Sequence, residues 1–174
     1  MQDTLDRAKK IQLAIFDVDG VMTDGSLYLG DNGEEMKAYN SLDGHGLKML
    51  QAGGVKIAVI TGRTSPGVAL RMNNLGIAEL YQGAENKLAV FAALCEKLGI
   101  TFEACAYMGD DVVDLPVLRR AGLAVCVPAA PALVQRHAHY VTRRGGGRGA
   151  VRELCELLLL AQGKLDAQLA QYLV

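Results

Sequence analysis

A chain of 174 residues fits one domain, long enough to bury about two thirds of its unfolded surface in a single core. Its residues are 51% hydrophobic and 21% charged, which excludes a disordered chain, and a formal net charge of -1 with both signs mixed along the length leaves no basic face for nucleic acid. Leu157 to Ala161 is the most apolar run near the C-terminus, far short of the roughly 20 residues of a membrane span, and no signal-peptide apolar region opens the chain, so a soluble cytoplasmic protein is expected.

In chain order, Ile11 to Asp17 is the first apolar run that ends in acidic residues, the pattern of a buried parallel strand. Ser26 to Asn40 follows as a β-hairpin, with SLYLG and EMKAY flanking the turn residues Asp31, Asn32 and Gly33. Val55 to Thr61 is a second buried strand. Ser65 and Pro66 read as N-cap and first helical position of a helix to about Asn74, stopped before Gly76. Leu88, Phe91, Leu94, Cys95 and Leu98 recur at helical spacing, with Gly99 as the C-terminal cap. A strand over Ala104 to Gly109, a helix over Val113 to Ala121 and a strand over Leu123 to Val127 come next. Arg143 to Gly149, RRGGGRG, precedes a helix from Ala150 to about Gln162, and Lys164 to Val174 reads as a mobile tail. Four strands alternating with helices predict an α/β doubly wound parallel sheet, whose crevice lies at the C-terminal ends of its strands. Cys95, Cys105, Cys126 and Cys155 are widely spaced among apolar residues and read as buried thiols rather than a disulfide framework or zinc site.

Those strand ends carry the chemistry. Asp17 and Asp19, in DVDG, place two carboxylates after the first strand, a pair suited to holding a divalent cation and to covalent catalysis by nucleophile and proton donor. The plain alternative is a turn with a helix-capping Asp. Thr61 can hydrogen-bond a phosphoryl oxygen or serve as an ordinary turn residue; Lys87 can stabilise developing phosphoryl charge or be a solvated surface lysine. Gly109, Asp110, Asp111 and Asp114 form GDDxxD, whose carboxylates repel one another without a hard cation; one or two of them would also suit a helix N-terminus. The coincidence of acid pair, Thr, Lys and acid cluster at successive strand ends favours the functional reading of all four.

DVDG, the ITG containing Thr61, Lys87 and GDDxxD resemble, in that order, the four signature motifs of the haloacid dehalogenase superfamily. The resemblance implies that Asp17 is the nucleophile, Asp19 the general acid and base, Thr61 and Lys87 the phosphoryl ligands, and that Mg2+ is held by Asp17, the Asp19 backbone carbonyl and Asp110. DVDGVMTDG, YLGDNGEE, ITGR with Arg63, NKL at Asn86 to Leu88, and GGRGAVRE at Gly146 to Glu153 are similar, over nearly the whole chain, to the family of 3-deoxy-D-manno-octulosonate 8-phosphate phosphatases. That similarity implies a core without a cap domain, a small phosphorylated sugar acid as substrate in lipopolysaccharide precursor biosynthesis, and a homotetramer with active sites shared between subunits. It also implies substrate contacts at Asn40, Asp43, Gly44, Lys48, Arg63, Arg71 and Arg148, the last on a glycine-rich stretch that approaches an active site.

Three alternatives stay open at this stage. A receiver-type signalling domain also combines acids, Thr, Lys and magnesium, but there the phosphorylated Asp ends a strand after the acidic pair, and no Asp ends the strand before Thr61. A non-catalytic scaffold of the same fold has no need of the intact Asp17, Asp19, Lys87 and Asp110. A phosphatase for a nine-carbon sugar-acid phosphate would use the same core.

Overall fold

The sheet has six parallel strands, in the order β5 (Glu79–Tyr81), β4 (Lys56–Ile60), β1 (Leu13–Phe16), β6 (Cys105–Gly109), β7 (Leu123–Cys126) and β8 (Tyr140–Val141), and the chain reaches them through helices on both faces. The computed structural model describes residues 2–173. The central strands are β1 (Leu13–Phe16), β4 (Lys56–Ile60), β6 (Cys105–Gly109) and β7 (Leu123–Cys126). All four residues of β1 are buried, because helices cover both faces; this is why the strands read as continuous apolar runs rather than alternating ones. Of the flanking helices, α1 spans Gln2–Ala8, α2 Ser41–Ala52, α3 Pro66–Leu75, α4 Lys87–Leu98, α5 Leu115–Leu118, α6 Ala132–Gln135, α7 Ala150–Ala161 and α8 Leu165–Ala170.

Strand order decides where a site can form. β1 pairs with β4 on one side and β6 on the other, so consecutive connections leave its C-terminal end in opposite directions and open a crevice there. Asp17 follows β1, Thr61 follows β4 and Asp110 follows β6, so the topology delivers all three to that crevice.

Two edge strands join the four read from sequence: β5 (Glu79–Tyr81) and β8 (Tyr140–Val141). They have three and two residues, all half-buried, and so lack the apolar run that marks the central strands. The helix expected over Val113 to Ala121 is divided into a 3-10 turn, Val112–Asp114, and the short α5. α3 and α4 end at Gly76 and Gly99, both left-handed, as the capping pattern required.

α2 escaped the sequence reading because glycines interrupt its pattern. A Cβ on Gly44 would stand 2.2 Å from Arg71 Nη2, and one on Gly46 would stand 2.8 Å from Arg152 Cδ. The glycines cost helix propensity and in return let α3 and α7 side chains lie against α2. Asn40 starts this helix, its side-chain oxygen accepting from Leu42 N at 2.8 Å.

Between β1 and α2 the chain forms a hairpin of β2 (Tyr28–Leu29) and β3 (Glu35–Met36), antiparallel and separate from the main sheet. Residues 165–170, in the segment read as a mobile tail, form α8; Leu165 and Leu169 pack on the core, and Lys164 Nζ donates to Gly53 O at 2.7 Å. The four cysteines are free and buried. No described helix is long and apolar enough to cross a membrane.

Candidate active site

Asp17 continues the line of β1, its amide donating to Met108 O at 3.0 Å. Val18 N donates to Asp17 Oδ1 at 2.7 Å, fixing one carboxylate oxygen, while Lys87 Nζ donates to Asp17 Oδ2 at 2.6 Å. Lys87 is the first residue of α4, whose start is set by Asn86 accepting from Ala89 N. Its ion pair with Asp17 turns the side chain inward, and Lys87 is only 5% exposed.

The same ammonium donates to Asp114 Oδ1 at 2.7 Å. Asp114 is wholly buried and saturated: Tyr107 Oη donates to Oδ1 at 2.7 Å, and the amides of Asp110 and Asp111 donate to Oδ2 at 3.0 and 3.2 Å. The third acid of GDDxxD thus organises the other two and orients Lys87. In the sequence Asp114 is marked only by its spacing from Asp111, with which it closes a capping box.

Carboxylate oxygens of Asp17, Asp110 and Asp114 lie within 4.8 Å of one another. Burial, followed by repulsion from Asp114, raises Asp17 to about 6 against the pull of Lys87. Burial, followed by repulsion from Asp17, Asp114 and Asp111, raises Asp110 to about 7. For Lys87 burial acts downward, but Asp17 and Asp114 outweigh it and hold the ammonium above the ordinary lysine range. One lysine is therefore too little positive charge for three clustered acids, two of them buried and Asp110 half-buried. A hard cation with oxygen ligands fits that deficit, and with Asp114 occupied by its four donors, Asp17 and Asp110 are the side chains left to bind it. Gly20, at φ +80, makes room: a Cβ there would stand 2.1 Å from Asp110 Oδ2.

Asp19 belongs to a second charge group. Lys37, from the residue after β3, donates to Asp19 Oδ1, and its Nζ lies 3.0 Å from Glu35 Oε1. Arg63 donates from Nη2 to Glu35 Oε2, and its Nε lies 3.8 Å from Asp19 Oδ2. Thr61 is buried, its amide donating to Tyr81 O and its carbonyl accepting from Ala84 N.

The remaining residues expected to meet substrate diverge. The Arg71 guanidinium carbon lies 5.6 Å from the centre of the Tyr39 ring, and Arg71 Nε and Tyr39 Oη are buried with no hydrogen-bond partner among the described residues. Such orphaned donors beside a crevice are what a polar ligand would satisfy. Asn40 Nδ2 donates to Gly147 O at 3.4 Å, and Gly44 lies under Arg71. Asp43 is buried with its carboxylate accepting from Gly149 N and Arg152 N, so it caps the start of α7. Lys48 is exposed on α2.

Arg148 makes an exposed ion pair with Asp24, 3.1 Å long. The glycine-rich stretch around it packs on its own chain's loop after Asp17. Gly147 N donates to Val21 O at 2.9 Å, and a Cβ on Gly146 would lie 1.8 Å from Gly20 O. Only a backbone without side chains can come so near. Sequence reasoning passed over Lys37, Glu35 and Tyr39, which look like ordinary hairpin residues until the hairpin folds back on Asp19.

A haloacid dehalogenase-like hydrolase family model matches residues 29–122, a span containing Thr61, Lys87 and Asp110. The chain is 52% identical over 164 residues to the 3-deoxy-D-manno-octulosonate 8-phosphate phosphatase of Escherichia coli K12, covering 94% of this chain and 87% of that one. The phosphatase of that name from Moraxella catarrhalis, solved with magnesium, phosphate and KDO, superposes with a TM-score of 0.97 at 42% identity, over 99% of both chains. That from Yersinia pestis superposes with a TM-score of 0.93 at 49% identity, over 94% of this chain and 89% of that one. With its sheet order, its acid-lined crevice and these likenesses, the chain belongs to the 3-deoxy-D-manno-octulosonate 8-phosphate phosphatase family of haloacid dehalogenase-like hydrolases.

Proposed function

We propose that the chain hydrolyses 3-deoxy-D-manno-octulosonate 8-phosphate to KDO and inorganic phosphate, with Asp17 as the nucleophile. The observation that carries this reading is the Asp17–Lys87–Asp114 chain of hydrogen bonds, which aims one ionised carboxylate at the crevice and leaves its neighbour Asp110 for a cation. An Asp17 oxygen attacks phosphorus, the bond from phosphorus to the sugar oxygen breaks, and Asp19 gives its proton to that oxygen. Asp19 then takes a proton from water, whose oxygen attacks the same phosphorus, and the acyl phosphate bond breaks to release phosphate and restore the Asp17 carboxylate. Thr61 and Lys87 hold the phosphoryl oxygens; Arg63 and Arg71 face the sugar-acid end, where guanidinium forks suit a carboxylate. Magnesium, held by Asp17, Asp110 and the Asp19 carbonyl, supplies the positive charge that this acid cluster lacks.

The 1–174 chain is read as one phosphatase domain acting in the cytoplasm, in lipopolysaccharide precursor synthesis, as a homotetramer whose subunits close each other's sites. The hairpin supports assembly: Leu27, Tyr28, Leu29 and Met36 are between 49% and 66% exposed, an apolar patch on a two-stranded ribbon with open edges. A panel of eight-carbon and nine-carbon sugar-acid phosphates tests the substrate. The eight-carbon ester should have the higher kcat/KM, by about tenfold or more, the discrimination available from a few pocket contacts. Preference for the nine-carbon ester would overturn the substrate while leaving the chemistry intact.

A further inference from the structure

Lys37 is placed where no solvated lysine would rest. Its side chain is 2% exposed, although it comes from a hairpin whose tip is open to solvent, and its ammonium lies between the carboxylates of Asp19 and Glu35. Burying an ammonium is unfavourable unless carboxylates surround it, so the position is held by these two acids. Arg63, on the far side, engages Glu35 and stands 3.8 Å from Asp19 Oδ2, beyond hydrogen-bond distance. The two oxygens of Asp19 are thereby made unequal. Oδ1 is gripped by Lys37, and Oδ2 is the one left to exchange a proton.

We propose that Lys37 is a positioning residue for proton transfer by Asp19: it pins Oδ1 so that Oδ2 presents its proton to the leaving oxygen and later accepts one from water. Glu35 anchors Lys37 in turn, and Arg63 secures Glu35, so the hairpin sets the geometry of the acid–base group. This rests on the reading of Asp19 as general acid, and the test separates the two.

A buried lysine could also act by attracting the substrate carboxylate, so the test uses phosphate monoesters without one. Their leaving groups run from simple alcohols, which need a proton to depart, to 4-nitrophenol, which does not. kcat/KM, which reports steps through phosphoryl transfer, is measured with saturating magnesium for the wild type, Lys37→Met, Lys37→Arg and Asp19→Asn. For Lys37→Met the loss should be about 100-fold with alkyl esters and shrink to about threefold with the nitrophenyl ester, the signature of impaired general-acid catalysis. Asp19→Asn should show the same steepening, and Lys37→Arg should recover most of the alkyl-ester rate. A steep Asp19→Asn series beside a uniform loss in Lys37→Met overturns the positioning role alone. A uniform loss in Asp19→Asn overturns the reading of Asp19 and the proposal with it.

Discussion

Lys87 holds Asp114 as closely as it holds Asp17, at 2.7 Å and 2.6 Å, so the lysine proposed to bind phosphate is aimed by an acid outside that role. Removing that acid should hurt twice. Asp114→Ala leaves the Lys87 ammonium, the Tyr107 hydroxyl and two amides without their shared partner and should destabilise the fold by about 3–5 kcal/mol. Asp114→Asn keeps the shape but loses the charge, and should lower kcat by about 100-fold at a smaller cost in stability. Urea unfolding and steady-state kinetics on the two variants check this; full kcat in Asp114→Asn would remove the aiming role.

Raised carboxylates make stability depend on pH and metal. Asp17 and Asp110 move from 3.8 to about 6 and about 7, so in the absence of metal the folded chain retains protons that the unfolded chain has already released. Unfolding then becomes easier as pH rises from near 4 through 7, because the native state binds the more protons over that window. The metal-free protein should lose thermal stability across it relative to Asp110→Asn, and magnesium should raise Tm more above pH 7 than at pH 5, since it binds the ionised acids. Calorimetry over pH, with and without magnesium, gives the comparison; a magnesium effect equal at both ends would contradict it.

The close approach of Gly146 to Gly20 gives a prediction about a residue with no side chain. Gly146→Ala would put a Cβ 1.8 Å from Gly20 O, and the loop bearing Asp19 must shift to admit it. A displacement of that size near the reacting atoms should lower kcat/KM by about 100-fold. Arg148→Ala, which removes only an exposed ion pair with Asp24, should leave the melting temperature nearly unchanged. If Gly146→Ala is as active as wild type, the glycine stretch is a simple link.

The hairpin's apolar surface predicts its own disruption. Leu29 and Met36 are each 66% exposed, and Leu29→Lys with Met36→Glu should convert an assembled protein to a monomer with reduced kcat/KM. Analytical ultracentrifugation and activity at matched concentrations test both halves. A wild-type protein that is monomeric and fully active would refute the shared-site reading.

The sheet and the acid crevice were legible because their signals are local: four short apolar runs, three of them closed by a polar residue. Asp17, Thr61, Lys87 and Asp110 could be named because each stands at a strand end or helix start that the pattern reveals. α2 could not be read, since Gly44 and Gly46 are there for neighbours distant in sequence. Lys37 and Asp19 are 18 residues apart, and nothing in EMKAY distinguishes a buried lysine from a solvated one before the hairpin folds. Asp43 shows the opposite case, a residue matched by position to substrate contacts whose carboxylate the fold turns toward the α7 amides.

Covalent chemistry at Asp17 is the centre of the account. Turnover of 3-deoxy-D-manno-octulosonate 8-phosphate with magnesium is quenched in acid, the acyl phosphate is reduced with borohydride, and the modified residue is located by peptide mass spectrometry. Reduction should convert Asp17 alone, only in samples quenched during turnover and never in Asp17→Asn, which should be inactive. A reduced residue elsewhere, or turnover by Asp17→Asn, would contradict the mechanism.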